Sequence, residues 1–315
     1  MPRVDSVIPL FNEEEGLIEF HRLLEETVLP DGYNRRYVYV NDGSSDGTQR
    51  LLEELAAKDS NVTIIQLSRN FGHQAALSAG LDAATADVVI TMDGDGQHPP
   101  FLIPEMLRLH AAGYDIVQAQ RLDQRRSGGF LKRTTSQVFY RLLSVVGEVN
   151  LVAGTSDFRL LSRQALDALK RLPEYHRFLR GMIVWIGFPS VVLPYKPGVR
   201  LAGNAKYSIR KMMRLAADGF FSFSLVPLRI GLLLGSVFIA LALVELSFIA
   251  IAWFGGNRDQ LVPGWTSLVL ILTFASAINM ILQGILGIYI GMIFREVKRR
   301  PVYLIKSKVP FGHGS

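Results

Sequence analysis

The sequence predicts an α/β domain on a mostly parallel sheet, followed by an amphipathic interfacial helix and a two-helix transmembrane hairpin. Three observations predict it. Short apolar runs alternate with helical stretches of roughly 10–15 residues, the signature of strands joined by helical crossovers. Each run ends in a polar loop, and in parallel sheets ligands sit beyond the carboxyl ends of the strands. Near the C-terminus, residues 228–254 and 265–294 are almost wholly apolar, each exceeding the roughly 20 residues needed to cross a bilayer.

Residues 4–10 form the first strand, closing on Pro9. Asn12 reads as an N-cap, with Glu15 completing a capping-box pattern. Leu17, Ile18, Leu24 and Val28 give the next helix its apolar stripe. Tyr37-Val38-Tyr39-Val40 is the second strand, running into Asn41-Asp42-Gly43-Ser44-Ser45-Asp46-Gly47-Thr48, where Asp46 caps the following helix. That helix spans 48–58 and the third strand 62–67. After the loop Ser68-Arg69-Asn70-Phe71-Gly72-His73-Gln74 come an Ala-rich helix to Ala84 and the strand 87–92. A helix through Glu105 and His110 precedes a fifth strand over 114–118.

The fourth strand runs into Thr91-Met92-Asp93-Gly94-Asp95-Gly96-Gln97. Carboxylates two residues apart project to one side of an extended backbone, and such a pair can hold a hard divalent cation that bridges a diphosphate. An acidic Asp-Gly turn is the alternative. In Gln97-His98-Pro99-Pro100 the prolines suit the first turn of the next helix, and His98 packs.

Ile8-Pro9-Leu10-Phe11-Asn12-Glu13-Glu14, the Asn41 to Thr48 loop, the Ser68 to Gln74 loop and the Asp93/Asp95 pair together resemble glycosyltransferase family 2. More narrowly, the chain is similar to the membrane-anchored polyprenyl-phosphate glycosyltransferases, the group of dolichyl-phosphate mannose synthase and the bacterial prophage-type glucosyltransferases. The resemblance covers nearly the whole chain. It implies a GT-A (Rossmann-like) fold, inverting transfer and dependence on Mg2+ or Mn2+. It places Pro9, Phe11, Asn12, Glu13, Asp42, Gln74 and Asp93 on the nucleotide, with Asp95 as direct metal ligand and Asp93 on metal or ribose. His73 is left between a nucleotide contact and loop packing. Asn41 departs from the Asp that family members often carry, with Asp42 remaining.

Ala153-Gly154-Thr155-Ser156-Asp157-Phe158-Arg159-Leu160 matches the segment whose carboxylate faces the acceptor. A sugar hydroxyl would need a base there, whereas a lipid phosphate is already anionic, so Asp157 is read as catalytic either way, as base or as orienting group. The Gly-containing basic loop from Arg121 through Arg125 and Arg126 to Gly129 precedes a helix, 130–146, bearing Arg133 and Ser136. A cationic loop at a helix N-terminus suits a phosphate, and the resemblance assigns this region to the lipid phosphate. Arg200, Lys206 and Tyr207 lie in a segment resembling the family's mobile loop, where Ala205 replaces a Ser. Arg177-Phe178-Leu179-Arg180-Gly181 and Trp185-Ile186-Gly187-Phe188 form an amphipathic acceptor-side wall.

The expected division is a catalytic domain over 1–204, an interfacial helix over 205–226, two spans within 227–294 and a basic tail over 295–315. Arg and Lys flank both spans, while their connecting loop balances Arg258 against Asp259. The catalytic domain and both termini are therefore expected in the cytoplasm, of a bacterial inner membrane by the resemblance. The N-terminus lacks a signal-peptide design. Glu245 is expected to bond Asn279, and Gly287 and Gly291 to give a close-contact face for a homo-oligomer.

The bulk numbers agree. Hydrophobic residues make up 49% and mean hydropathy is +0.23, high for a purely soluble chain of 315 residues. A net charge of +6 favours phosphate or membrane surface; nucleic acid is not an expected partner. The absence of cysteine excludes disulfides, thiolate metal sites and Cys nucleophiles. No G-x-G-x-x-G occurs, which disfavours a dinucleotide dehydrogenase. The leading function is transfer of one sugar from UDP-glucose to undecaprenyl phosphate. GDP-mannose is the alternative donor. A processive polysaccharide synthase lacks support because Gln-x-x-Arg-Trp is missing. An idle nucleotide-sugar-binding scaffold would not need Asp93, Asp95, Asp157 and the basic loops together.

Overall fold

The computed structural model describes residues 1–122, 155–175, 177–198 and 264–312, with single positions between 233 and 255. Two compact units emerge, Met1–Phe220 with Arg300–Ser315, and Phe221–Arg299.

The first unit is built on one sheet ordered β7-β5-β6-β4-β1-β2-β3-β8. Its strands are β1 (Arg3–Leu10), β2 (Asn34–Asn41), β3 (Val62–Leu67), β4 (Val88–Thr91), β5 (Ile116–Arg121), β6 (Thr155–Ser162), β7 (Ser190–Tyr195) and β8 (Ile305–Val309). The central strands β3, β2, β1 and β4 are mutually parallel. Beyond them β6 runs antiparallel to both β4 and β5, and β7 is parallel to β5. At the other edge β8 pairs antiparallel with β3. Burial is unbroken from Val4 to Leu10, as expected for a strand covered on both faces.

Helices α1 (Leu17–Glu26), α2 (Thr48–Lys58), α3 (His73–Ala83) and α4 (Ile103–Ala111) connect the first five strands. α5 (Arg163–Lys170) and α6 (Leu179–Trp185) lie between β6 and β7. On α1 the buried stripe is Leu17, Phe20, His21 and Leu24, whereas Ile18 is exposed. Phe20, Leu24, Leu52, Tyr39, Ile64, Met106 and Phe158 belong to one continuous core.

Three local expectations fail. Asn12 does not cap α1: its φ is 54°, and the helix starts from Gly16 with no side-chain cap. Asn12 faces the next loop instead, its Oδ1 accepting the Ser45 N–H at 2.9 Å. The chain has also left β4 by Asp93, so the two aspartates stand on a turn, not on extended backbone. The N-cap of α2 is Gly47, not the expected Asp46, which stands one residue earlier and accepts the Thr48 N–H at 3.1 Å.

The chain expected to form a tail returns to the first unit. Ser68 N donates to Leu304 O at 2.9 Å, Tyr303 Oη donates to Asp82 Oδ2 at 2.9 Å, and β8 then extends the sheet.

The second unit contains α7 (Trp265–Val297), 33 residues long. Within it Phe274–Val297 is long and apolar enough to cross a membrane, and is unburied within the chain. Gln283 Nε2 donates to Asn279 Oδ1 at 2.9 Å; the expected partner Glu245 lies outside the described residues, as do the 205–226 helix and most of 228–254. Among the described residues, nothing beyond the helix's own neighbouring backbone comes within 4 Å of a Cβ built on Gly287 or Gly291.

Candidate active site

In this sheet β1 is followed by β2 on one side, and the chain later returns to place β4 on the other. That reversal opens a crevice at the strands' carboxyl ends, and the loops after β1, β2, β3 and β4 gather there. The 11–14 and 44–48 loops are laced together: Asn12 N donates to Ser44 Oγ at 3.0 Å, Glu13 N to Thr48 Oγ1 at 3.0 Å, and Gly47 N to Glu14 Oε2 at 2.9 Å. Pro9 lies within β1, and the Phe11 ring is 37% exposed at the rim.

Asp42 is buried, with its carboxylate accepting the backbone N–H groups of Phe71 at 2.7 Å and Gly72 at 2.9 Å. Burial pushes its pKa up against those two bonds. It thereby ties the loop after β2 to the loop after β3. Gly43 makes this approach possible, because its φ is +66° and any Cβ there would collide with the Arg69 backbone. Asp42 thus has a structural duty, in addition to any base contact that its remaining lone pairs allow.

Asp93 and Asp95 occupy the turn after β4. The Asp93 N–H donates to Nδ1 of buried His98 at 2.8 Å, and His98 stacks on Phe158. The expected packing role of His98 is what the structure shows. Asp93 Oδ1 is shielded from solvent and accepts no hydrogen bond among the described residues, meeting His73 Nε2 at 3.5 Å. Asp95 accepts from Gln97 N and Gln97 Nε2, both at 3.0 Å. Gln97 Oε1 in turn accepts from Arg121 Nη1 at 2.6 Å. Arg121, at the end of β5, is therefore wired to the acidic turn.

The densest cluster surrounds Asp157 on β6. This buried carboxylate accepts from Arg180 Nε at 3.0 Å and Nη2 at 2.9 Å, and from Arg159 Nη2 at 3.1 Å. His73 Nε2 lies 3.3 Å from it. Burial opposes ionisation, but Arg180, His73 and Arg159 overcome it and hold the Asp157 pKa well below the usual carboxylate range. His73 is likewise disfavoured by burial, yet Asp93 and Asp157 raise its pKa to about 9. Arg159 is wholly buried, which lowers its pKa to about 10 despite Asp157. Gln74 spans the cluster, donating to Asp157 Oδ2 at 3.5 Å and accepting from Leu179 N at 3.3 Å.

Asp93, Asp157, His73 and Gln74 are thus brought together. Phe11, Asn12, Glu13 and Asp42 line the neighbouring loops, while Arg121 reaches the crevice through Gln97. Arg125, Arg126, Arg133, Ser136, Arg200, Lys206 and Tyr207 lie outside the described residues. Sequence reasoning missed the parts of Arg159 and Arg180. Arg159 was findable, since residues two apart on a strand share a face. Arg180 gave no such signal, because its partner comes from a strand 23 positions earlier.

The chain belongs to glycosyltransferase family 2. The family description Glycosyl transferase family 2 matches residues 5–170. Among curated proteins, an uncharacterized glycosyltransferase YkcC of Bacillus subtilis is 37% identical over 301 residues, covering 96% of this chain and 92% of its own. A prophage bactoprenol glucosyl transferase homolog of Escherichia coli is 37% identical over 310 residues, covering 96% and 98%. Among solved structures, the mannosyltransferase PcManGT of Pyrobaculum calidifontis, in complex with GDP-Man and Mn2+, is 15% identical, with coverage of 90% and 87% and a TM-score of 0.46. The chain is a glycosyltransferase of GT-A type.

Proposed function

We propose that this enzyme moves one sugar, with inversion, from a nucleotide sugar to a polyprenyl phosphate of the undecaprenyl type. The work is placed at the cytoplasmic face of a bacterial plasma membrane. The observation that carries the reading is the meeting of the Asp93/Asp95 turn and the Asp157 cluster at one crevice. Relatives named bactoprenol glucosyl transferases, matching over 97% of the chain, support the lipid acceptor and favour glucose, hence UDP-glucose over GDP-mannose.

The residues at the turn suit a hard divalent cation, Mg2+ or Mn2+. Asp93 offers a shielded oxygen with no hydrogen bond among the described residues, and both side chains present carboxylate oxygens, the donors such ions prefer. An ion held by Asp93 and Asp95 would neutralise charge on the departing nucleoside diphosphate. His98 fixes the Asp93 backbone, and Gln97 fixes the Asp95 carboxylate. In the transfer, an acceptor phosphate oxygen bonds to the anomeric carbon as the sugar–diphosphate bond breaks. That oxygen is already anionic near neutral pH, so no proton need be removed. Asp157 is matched to this requirement: so strongly favoured an ionised form makes it a weak base, and its task is to orient Arg180, His73 and the groups bound beside them.

Placing the site at the membrane rests on α7 and on residues 228–254 as its partner span. Arg121, Arg125, Arg126, Arg133, Ser136, Arg200 and Lys206 are assigned to the acceptor phosphate. Gly287 and Gly291 are assigned to a contact between chains, so Gly287→Leu should reduce the detergent-solubilised mass. The function is tested with membranes containing the enzyme, a panel of radiolabelled nucleotide sugars, and undecaprenyl phosphate with or without chelator. Label should become lipid-extractable with UDP-glucose alone, and only when lipid phosphate and Mg2+ or Mn2+ are present. Transfer to water, or to lipid phosphate in EDTA, would refute the reading.

A further inference from the structure

Away from the catalytic rim, α1 and α2 bring together three side chains that the transfer reaction does not use. His21 on α1, Glu25 one turn later, and Asp59 just past α2 present ligand atoms that all lie within 4.8 Å of one another. Both carboxylates sit where a helix hands the chain back to the sheet, at the strands' amino ends. The catalytic loops occupy the opposite rim.

The imidazole is aimed. His21 is 4% exposed, and its Nδ1 is fixed by Tyr39 Oη at 2.8 Å, within a cage formed by Tyr37 and Tyr39. In the tautomer whose Nδ1–H donates to Tyr39 Oη, the Nε2 lone pair is left for a metal ion. Nε2 makes no hydrogen bond among the described residues, and Glu25 Oε1 stands 3.7 Å away.

The carboxylates, by contrast, are badly placed without a cation. Glu25 lies in the last turn of α1, which holds no basic residue, and Asp59 is the C-cap of α2. Helix C-termini carry partial negative charge and disfavour carboxylates. Among the described residues no Arg or Lys forms an ion pair with either, although Lys58 precedes Asp59. Asp59 uses Oδ1 to accept from Asn61 N at 2.8 Å, leaving Oδ2 for a ligand.

We propose that His21, Glu25 and Asp59 form a second metal site, separate from the catalytic one, for a divalent transition ion such as Zn2+. One imidazole and two carboxylates suit Zn2+, Co2+ or Mn2+ better than Mg2+, which favours all-oxygen sets. Zn–ligand distances of about 2.0–2.2 Å require the carboxylates to close in on Nε2. Glu25, whose side chain is 54% exposed, has the freedom to do so. Tyr39 is the outer-shell partner that sets ring orientation. The bound ion would staple α1 to α2.

The test uses the full-length chain, tag removed, carrying Asp93→Asn and Asp95→Asn so that the catalytic carboxylates take no ion. Titration calorimetry with ZnCl2 should find about one equivalent bound, and Co2+ at the site should give the visible spectrum of mixed imidazole–carboxylate ligation. Adding Glu25→Gln or Asp59→Asn, both at positions not fully buried, should weaken Zn2+ by at least tenfold. Tyr39→Phe, which keeps the packing, should weaken it by about 10–100-fold. Absence of Zn2+ binding by the parent, or equal affinity in the Glu25→Gln/Asp59→Asn double variant, overturns the proposal.

Discussion

At Asp157 two guanidinium groups and an imidazole converge on one carboxylate that solvent barely reaches. Removing one partner of such a buried ion pair leaves the others uncompensated. Asp157→Asn should therefore destabilise the fold by about 3–5 kcal/mol and, with Arg180 and His73 displaced, lower turnover by about 100-fold or more. Calorimetric UDP affinity should be little changed; turnover equal to wild type would sink the assignment. The same cluster predicts a pH dependence in the ligand-free, chelated enzyme. His73 titrates near 9, above its ordinary 6.5, so its stabilisation is complete below about pH 6.5 and is lost as pH rises through about 9. Asp157 is shifted the other way; its stabilisation is present above the ordinary carboxylate range and is lost as pH falls through its depressed value. Melting temperature should decline from pH 7 to pH 9, and His73→Gln should flatten that decline.

Between elements, the wall that carries Arg180 is fastened at both ends of α3. Gln74 near its start accepts from Leu179 N, and Asp82 near its end accepts from Arg177 Nη1 at 3.0 Å. Tyr303 bonds the same Asp82 oxygen, so the segment leading into β8 shares an anchor with the segment that carries Arg177 and Arg180. Tyr303→Phe should cost about 0.5–1.5 kcal/mol and speed hydrogen exchange along Ile305–Val309, while β1 and β2 keep their protection. Unchanged exchange in β8 would show that this bond does not hold the strand. Elements of this kind mark where the sequence stopped being informative. α2 and β3 were legible to the residue, since their apolar periods run unbroken between clear turn signals. The site loops were legible for the same reason, falling where strands end. β8 reads as a charged run, Ile305-Lys306-Ser307-Lys308-Val309, and its pairing with β3 depends on a partner some 240 positions away. Asn12 misled because its side chain serves the 44–48 loop, a tertiary demand that overrides the local capping pattern.

For the molecule as a whole, the sheet is assembled from both ends of the sequence. β8 covers what would otherwise be the unpaired edge of β3, and its two lysines suit it to the exposed margin. A chain ending at residue 299 should thus leave that edge open and self-associate through it. Size-exclusion chromatography in detergent should show the truncated enzyme as higher-mass species, and an unaltered profile would count against edge protection. The closing strand also imposes a rule of parity. β3 and β8 are hydrogen-bonded neighbours, so the stretches before and after residues 221–299 must lie on one side of any bilayer. A single crossing by α7 would separate them, leaving one half of a ladder in each compartment. If α7 traverses, the stretch before it has to traverse as well, and the apolar run at 228–254 is the segment able to supply that second passage.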